Sequence, residues 1–277
     1  MTDQDAKRSI VVGVDGSRPA VHAAVWAADE AVARDLPLRV VHVVEEHLDD
    51  AGDAFTAAQA AIADACTAIT ATGKPVAVQT EILRGHALSA LATASHSAAM
   101  VCVGPVGRHR IASHRAGSTA TALASSAHCP VAIVRTGRLS DTGRIVVDLG
   151  ESAEEVPVLR AGIDEAQLHR LPLEVVAAWH THAGDPRDDH TIDEGNQRVR
   201  AQLERSLAPW ARRYPSVDMR PVALHGSFLD YLAKNARSIQ LVVVGTGASG
   251  DELLGPTGSA VLRKTDCSVL VVARHHL

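Results

Sequence analysis

Two glycine-bearing loops hold the residue types from which chemistry could be built. One reads Gly13-Val14-Asp15-Gly16-Ser17 and follows an apolar run. The other reads Gly104-Pro105-Val106-Gly107, passes through Arg108, His109 and Arg110, and reaches Gly117-Ser118-Thr119, giving the spacing G-x2-G-x9-G-S before a helical segment opens. Glycine lets a backbone approach a ligand closely, and free N–H groups at a helix N-terminus attract an anion with the help of the helix dipole. Ser118 and Thr119 add hydroxyl donors, and Arg108, Arg110 and Arg115 make the loop basic. That combination is a phosphate cradle, although an exposed loop is often basic too. Asp15 reads in two ways that stay open at this point: an Asp-Gly turn former, or a carboxylate set at the end of a strand to face a ligand.

Other chemistries fail on spacing. A Walker loop needs GxxxxGK[ST], and no such lysine exists; a dinucleotide fingerprint needs GxGxxG where this chain has GVDGSR; Ser17 lacks the flanking glycines of a GxSxG nucleophile. No convincing acid–base pair is found, so no catalytic residue is assigned. His180, His182, His190, His275 and His276 have no zinc-type spacing with cysteine partners, and no dedicated metal site is expected. The run Trp179-His180-Thr181-His182 is read as solvated surface at a strand end. Cys66, Cys102, Cys129 and Cys267 contain no CxxC pair, which suits a reduced compartment.

These loops need elements to position them. The chain has 277 residues, enough for two modest domains, and its hydrophobic content of 46% includes only 3% aromatics, so the core must be aliphatic. An internal repeat supports the division: Leu36-Pro37-Leu38 falls on Leu171-Pro172-Leu173, and further on Gly85 pairs with Gly226, Gly104 with Gly245, and Gly117-Ser118 with Gly258-Ser259. The offset changes within the middle helix, which places the length difference there. Short apolar runs at residues 10–14, 38–44, 76–83, 100–103 and 131–134 alternate with helical spacing, and runs at 145–149, 173–178, 217–224, 241–244 and 269–272 repeat the scheme. Val21, Val25, Ala28 and Val32 are expected to form the inner face of the first helix. Strands apolar on both faces and separated by helices imply two doubly wound five-stranded parallel-sheet α/β domains in tandem, at 1–138 and 139–277. Ligands of such a sheet bind beyond the carboxyl ends of its strands, where the strand order reverses. A net charge of −5 gives no electrostatic footprint for nucleic acid or an anionic membrane. With a polar N-terminus and no apolar stretch near the ~20 residues of a spanning helix, a cytoplasmic location is expected.

The opening VVGVDGS, the helix–strand join PLRVVHVV, the Gly85 turn, the glycine loop and the closing CPVAIVR resemble the universal stress proteins, in particular their ATP-binding branch. The resemblance covers nearly the whole chain as two copies and implies an adenine nucleotide alpha hydrolase-like fold. Carried over residue by residue, it puts Asp15, in the loop opened by Gly13, at the ribose or adenine end. It puts Val41 against adenine through its backbone, and Gly104, Gly107, Gly117, Ser118 and Thr119, with Arg108 beside them, around the phosphates. It implies an ATP-binding stress-response regulator, at most a slow ATPase, with Mg²⁺ brought by the nucleotide if present; a nucleotide-free interaction or scaffold module is the alternative. It also implies pairing through the last strand of each copy, as a homodimer or as an intramolecular domain pair. In the second copy Gly150 stands at the place of Asp15 and Ala248 at that of Gly107, while Gly245, Gly247, Gly258 and Ser259 keep part of the pattern. ATP is therefore expected in the N-terminal copy, with a partial cradle surviving in the other.

Overall fold

The computed structural model describes residues 8–45, 51–105, 118–135, 143–149, 156–181, 189–263, 265 and 267–273. The chain falls into two compact units, one within residues 1–138 and one within 139–275.

The first unit runs β1 (Ser9–Gly13), α1 (Arg18–Ala33), β2 (Leu38–Val44), α2 (Ala51–Thr70), β3 (Val78–Arg84), α3 (Ala87–Ser95), β4 (Ala98–Val103), α4 (Ser118–Ser126) and β5 (Val131–Ile133). Its strands lie in the order β3-β2-β1-β4-β5, all parallel. The second unit runs β6 (Arg144–Asp148), α5 (Val156–His169), β7 (Leu173–Trp179), α6 (Asp189–Arg213), β8 (Met219–His225), α7 (Phe228–Asn235), β9 (Ile239–Gly245), α8 (Ala248–Leu254), α9 (Pro256–Arg263) and β10 (Ser268–Val272). Its order, β8-β7-β6-β9-β10, is the same topology. In each unit the first strand has the second on one side and the fourth on the other, so the order reverses there and a crevice opens at the carboxyl ends.

Burial explains the strands. Ile10, Val11, Val12, Val40, Val41, Val101 and Cys102 are fully buried in the first sheet, as are Ile145, Val146, Val147, Val175, Val176, Val242 and Val243 in the second. A sheet apolar on both faces needs helices on both. In α1 the inner face is not the valine stripe expected from the spacing. Ala20, Ala23, Ala24, Trp26, Ala27, Ala28 and Ala31 are buried, whereas Val21 and Val25 are half-buried and Val32 is 37% exposed. Small side chains let the helix lie close to the strands, so the alanines rather than the bulkier valines face the sheet. The helix starts at Ser17, whose Oγ accepts from the Ala20 N–H at 3.3 Å.

The repeat extends to details that composition hides. α1 and α5 both end in a left-handed residue that is not glycine, Asp35 (φ 52°) and Arg170 (φ 54°). The next N–H closes each helix, Leu36 onto the Ala31 carbonyl at 2.9 Å and Leu171 onto the Ala166 carbonyl at 3.2 Å. The turns after β3 and β8 are made by Gly85 (φ 121°) and Gly226 (φ 107°), a region closed to most side chains. Between neighbouring strands, Arg39 of β2 pairs with Glu81 of β3 at 2.7 Å in the first unit. In the second, Arg144 pairs with Glu174 at 2.7 Å and donates to Ser238 and Asn235, while the Tyr231 hydroxyl donates to Glu174. No described helix is long and apolar enough to cross a membrane.

Candidate functional site

In the first unit the carboxyl ends of β1, β2 and β4 bring together part of the expected set. Gly13, the last residue of β1, lies in register with Val41 of β2, and the Val14 N–H donates to the Val41 carbonyl at 2.8 Å. Val41 is fully buried, backbone included, and one lone pair of its carbonyl is already engaged by Val14. Asp15 follows directly. Its Oδ1 accepts from the Ser17 N–H at 3.0 Å across Gly16, whose φ of 78° is the left-handed turn position. That bond orients the carboxylate and leads the chain into the cap of α1.

Gly104 follows β4, the other neighbour of β1. A Cβ there would lie 3.0 Å from the Pro19 carbonyl carbon and 3.1 Å from the Ala20 nitrogen, so the first turn of α1 packs closely on this glycine. Gly13 is packed likewise: a Cβ there would lie 3.1 Å from Leu91 Cδ1 of α3 and 3.5 Å from Val103 Cγ1, so both glycines allow close packing at the strand ends. Ser118 opens α4 and Thr119 is half-buried. Because α4 leaves the carboxyl end of β4, its N-terminus lies on the crevice side of the sheet, where free N–H groups favour an anion. Gly107, Arg108 and Gly117 lie outside the described residues. The described part of this edge thus holds two half-buried glycines at the strand ends, a carboxylate on the β1 loop and the start of α4.

The second unit departs from this arrangement. Asp148, paired in register with Val176 as Gly13 is with Val41, puts a carboxylate only 3% exposed where the first unit has a glycine. Gly150, at the place of Asp15, lies outside the described residues. The partial cradle expected from Gly245, Gly247, Gly258 and Ser259 is not formed. The segment after β9 winds into α8, with Asp251 in its first turn, and α9 starts at Pro256, so Gly258 lies inside a helix instead of opening one. A Cβ at Gly258 would sit 2.2 Å from the Leu253 carbonyl oxygen and 2.5 Å from that of Glu252. The Ser259 hydroxyl donates to the Leu254 carbonyl at 3.0 Å and is buried. Both residues serve the packing of α9 on α8.

Trp179 also differs from its sequence reading. It is half-buried at the end of β7 and donates its indole N–H to Asn196 of α6 at 2.9 Å. Its ring lies 4.6 Å from that of His225 at the end of β8. The benzo edge occupies the space beside Gly195, where a Cβ would come within 2.0 Å of it. Sequence reading missed this constellation; the one available signal was a glycine inside a long helical run.

The fold is that of a tandem doubly wound α/β protein whose two units differ at the carboxyl edges of their sheets. The universal stress protein family model matches residues 7–135 and 142–273, and the chain belongs to that family. It is 43% identical over 282 residues to the universal stress protein Rv2028c of Mycobacterium tuberculosis, covering 97% of each chain. It is 42% identical over 269 residues to Rv3134c of the same organism, covering 95% of this chain and 97% of the relative. Among solved structures, a universal stress protein from Archaeoglobus fulgidus has the same fold, with a TM-score of 0.70 at 16% identity over 97% of each chain.

Proposed function

We propose that this universal stress protein is an ATP-binding regulator whose nucleotide sits at the carboxyl edge of the N-terminal unit. Asp15, in the loop opened by Gly13, holds the ribose or adenine end, the Val41 backbone faces adenine, and Gly104, Gly107, Gly117, Ser118 and Thr119, with Arg108 beside them, surround the phosphates. Mg²⁺ arrives with the phosphates, keeping water and phosphate oxygens as its ligands. The observation that carries the reading is the contrast between the units: Gly13 ends β1 in one, whereas in the other a buried Asp148 takes that place and the glycine–serine pair is consumed by helix packing. The reading is of binding, with hydrolysis at most slow.

Equilibrium titration with ATP, ADP, AMP and cyclic AMP tests it. ATP should bind, and Asp15→Ala should weaken it about tenfold or more, since a hydrogen bond to a charged group is worth ~1.5–3 kcal/mol. Unchanged affinity in a folded Asp15→Ala protein would remove Asp15 from the site. One observation favours the alternative of a nucleotide-free interaction module: Asp15 and Gly104 both have structural duties, in the Ser17 turn and beneath Pro19. The purified protein separates the two. Co-purified adenine nucleotide, seen as excess absorbance near 260 nm, supports the first reading, and failure to bind any of the four nucleotides supports the second.

A further inference from the structure

The longest described helix of the molecule, α6, carries charge that the nucleotide reading leaves unused. Arg198, Arg205 and Arg212 recur every seven residues and are all exposed, and among the described residues none makes an ion pair or side-chain hydrogen bond. Seven residues fall about 20° short of two full turns and rise about 10.5 Å, so the three guanidinium groups leave the helix along one stripe roughly 21 Å long. Gln202 and Pro209 lie on the same stripe and are exposed, whereas Leu203 and Leu207 are buried on the side that packs onto the unit. Arg200, off the stripe, is satisfied by Glu204 at 3.2 Å.

The charge is out of character for this chain. Residues 198–213 contain five arginines and one glutamate, a surplus of four positive charges (5 − 1), in a protein whose net charge is −5. The corresponding helix of the first unit, α2, contains no basic residue in its twenty positions. The middle helix, where the repeat changes length, is therefore also where the two halves differ most in surface chemistry.

We infer that the Arg198–Arg205–Arg212 stripe docks an acidic helical segment of a partner protein, one that presents a carboxylate at every seventh residue. Arginine's planar fork takes a carboxylate through two parallel hydrogen bonds, and a helix with the same heptad spacing places its carboxylates at the same ~10.5 Å intervals. A second copy of this chain fits poorly. Two α6 stripes laid together would oppose three arginines to three arginines, with only Glu194 near the stripe to offset them. Nucleic acid is disfavoured by the net negative charge and by the narrowness of the stripe, one residue wide.

The test uses the full chain and a folded R198Q/R205Q/R212Q variant in fluorescence anisotropy at low salt. Three probes are compared: a designed helical peptide with glutamate at every seventh position, an isomer of the same composition with its glutamates spread around the helix, and a short DNA duplex. Three exposed ion pairs at about two- to fivefold each predict that the aligned peptide binds about tenfold or more tighter than the isomer. The triple substitution should remove that difference, and high salt should weaken it. Equal affinity for the two peptides, or an aligned-peptide affinity that survives the triple substitution, would overturn the inference. Tighter binding of the DNA duplex would reassign the stripe to nucleic acid. A wild-type dimer in sedimentation velocity that the triple variant loses would reassign it to a second copy.

Discussion

Burial pushes the Cys129 thiol up to about 12, against smaller opposing effects of a hydrogen bond from the Val101 backbone and the charge of Arg8. Thiolate is the nucleophile, so Cys129 should be inert near neutral pH. Burial also raises the Cys66 thiol, but Cys66 is half-exposed on α2. Iodoacetamide at mildly alkaline pH, read by peptide mass spectrometry, should therefore label native Cys66 well before Cys129; the reverse order would contradict this burial. Tyr231 makes a second residue-scale case. Burial first, and its hydrogen bond to Glu174 second, raise its hydroxyl from 10.0 to about 12. An acid whose folded pKa is raised contributes stability that is complete below the unfolded value and is lost as pH climbs through the folded one. Melting temperature should thus fall between pH 10 and 12, and Tyr231→Phe should flatten that fall. An unchanged alkaline slope would detach Tyr231 from the Arg144–Glu174 network.

At the scale of elements, Gly195 is the least replaceable residue of α6. Alanine would favour the helix itself by ~1 kcal/mol, but its Cβ would stand 2.0 Å from the Trp179 ring, which is fixed by Asn196 and packed against His225. Overpacking should win, so Gly195→Ala should destabilise the protein by about 1–3 kcal/mol in urea unfolding and shift the native tryptophan emission. A stabilised variant would show that the ring moves aside freely. The same residues show where the sequence was legible. Strands could be read because parallel strands buried on both faces are continuous apolar runs, and the crossover helices because they separate those runs. The inner face of α1 was misread because valine is the more hydrophobic residue, whereas close approach to the sheet selects alanine. Trp179 was misread because its partners, Asn196 and His225, come from distant parts of the sequence. α8 went unseen because a seven-residue helix containing Gly250 has the composition of a loop.

For the whole molecule, the two halves share topology and diverge at the carboxyl edge of the sheet, so duplication of the fold need not duplicate the proposed site. Topology follows from the alternation of apolar runs and helices, which both copies keep. The site depends on single residues at the carboxyl ends, and there the copies part: Asp148 stands in for Gly13, and Gly258 and Ser259 are built into the α8–α9 contact. The Asp148 side chain occupies the strand end where the first unit has glycine, and refilling the cradle would require α9 to leave α8. Losing one ribose hydrogen bond and one close backbone approach should together cost a few kcal/mol, which moves a micromolar site toward millimolar. Calorimetric titration of the full chain should therefore give one ATP per chain, and Asp15→Ala should leave no site of comparable affinity. Asp148→Gly, which removes the carboxylate but not the helix packing, should not create a second site. Two ATP of similar affinity per chain, with one surviving Asp15→Ala, would show that the second unit binds through contacts other than those of the first.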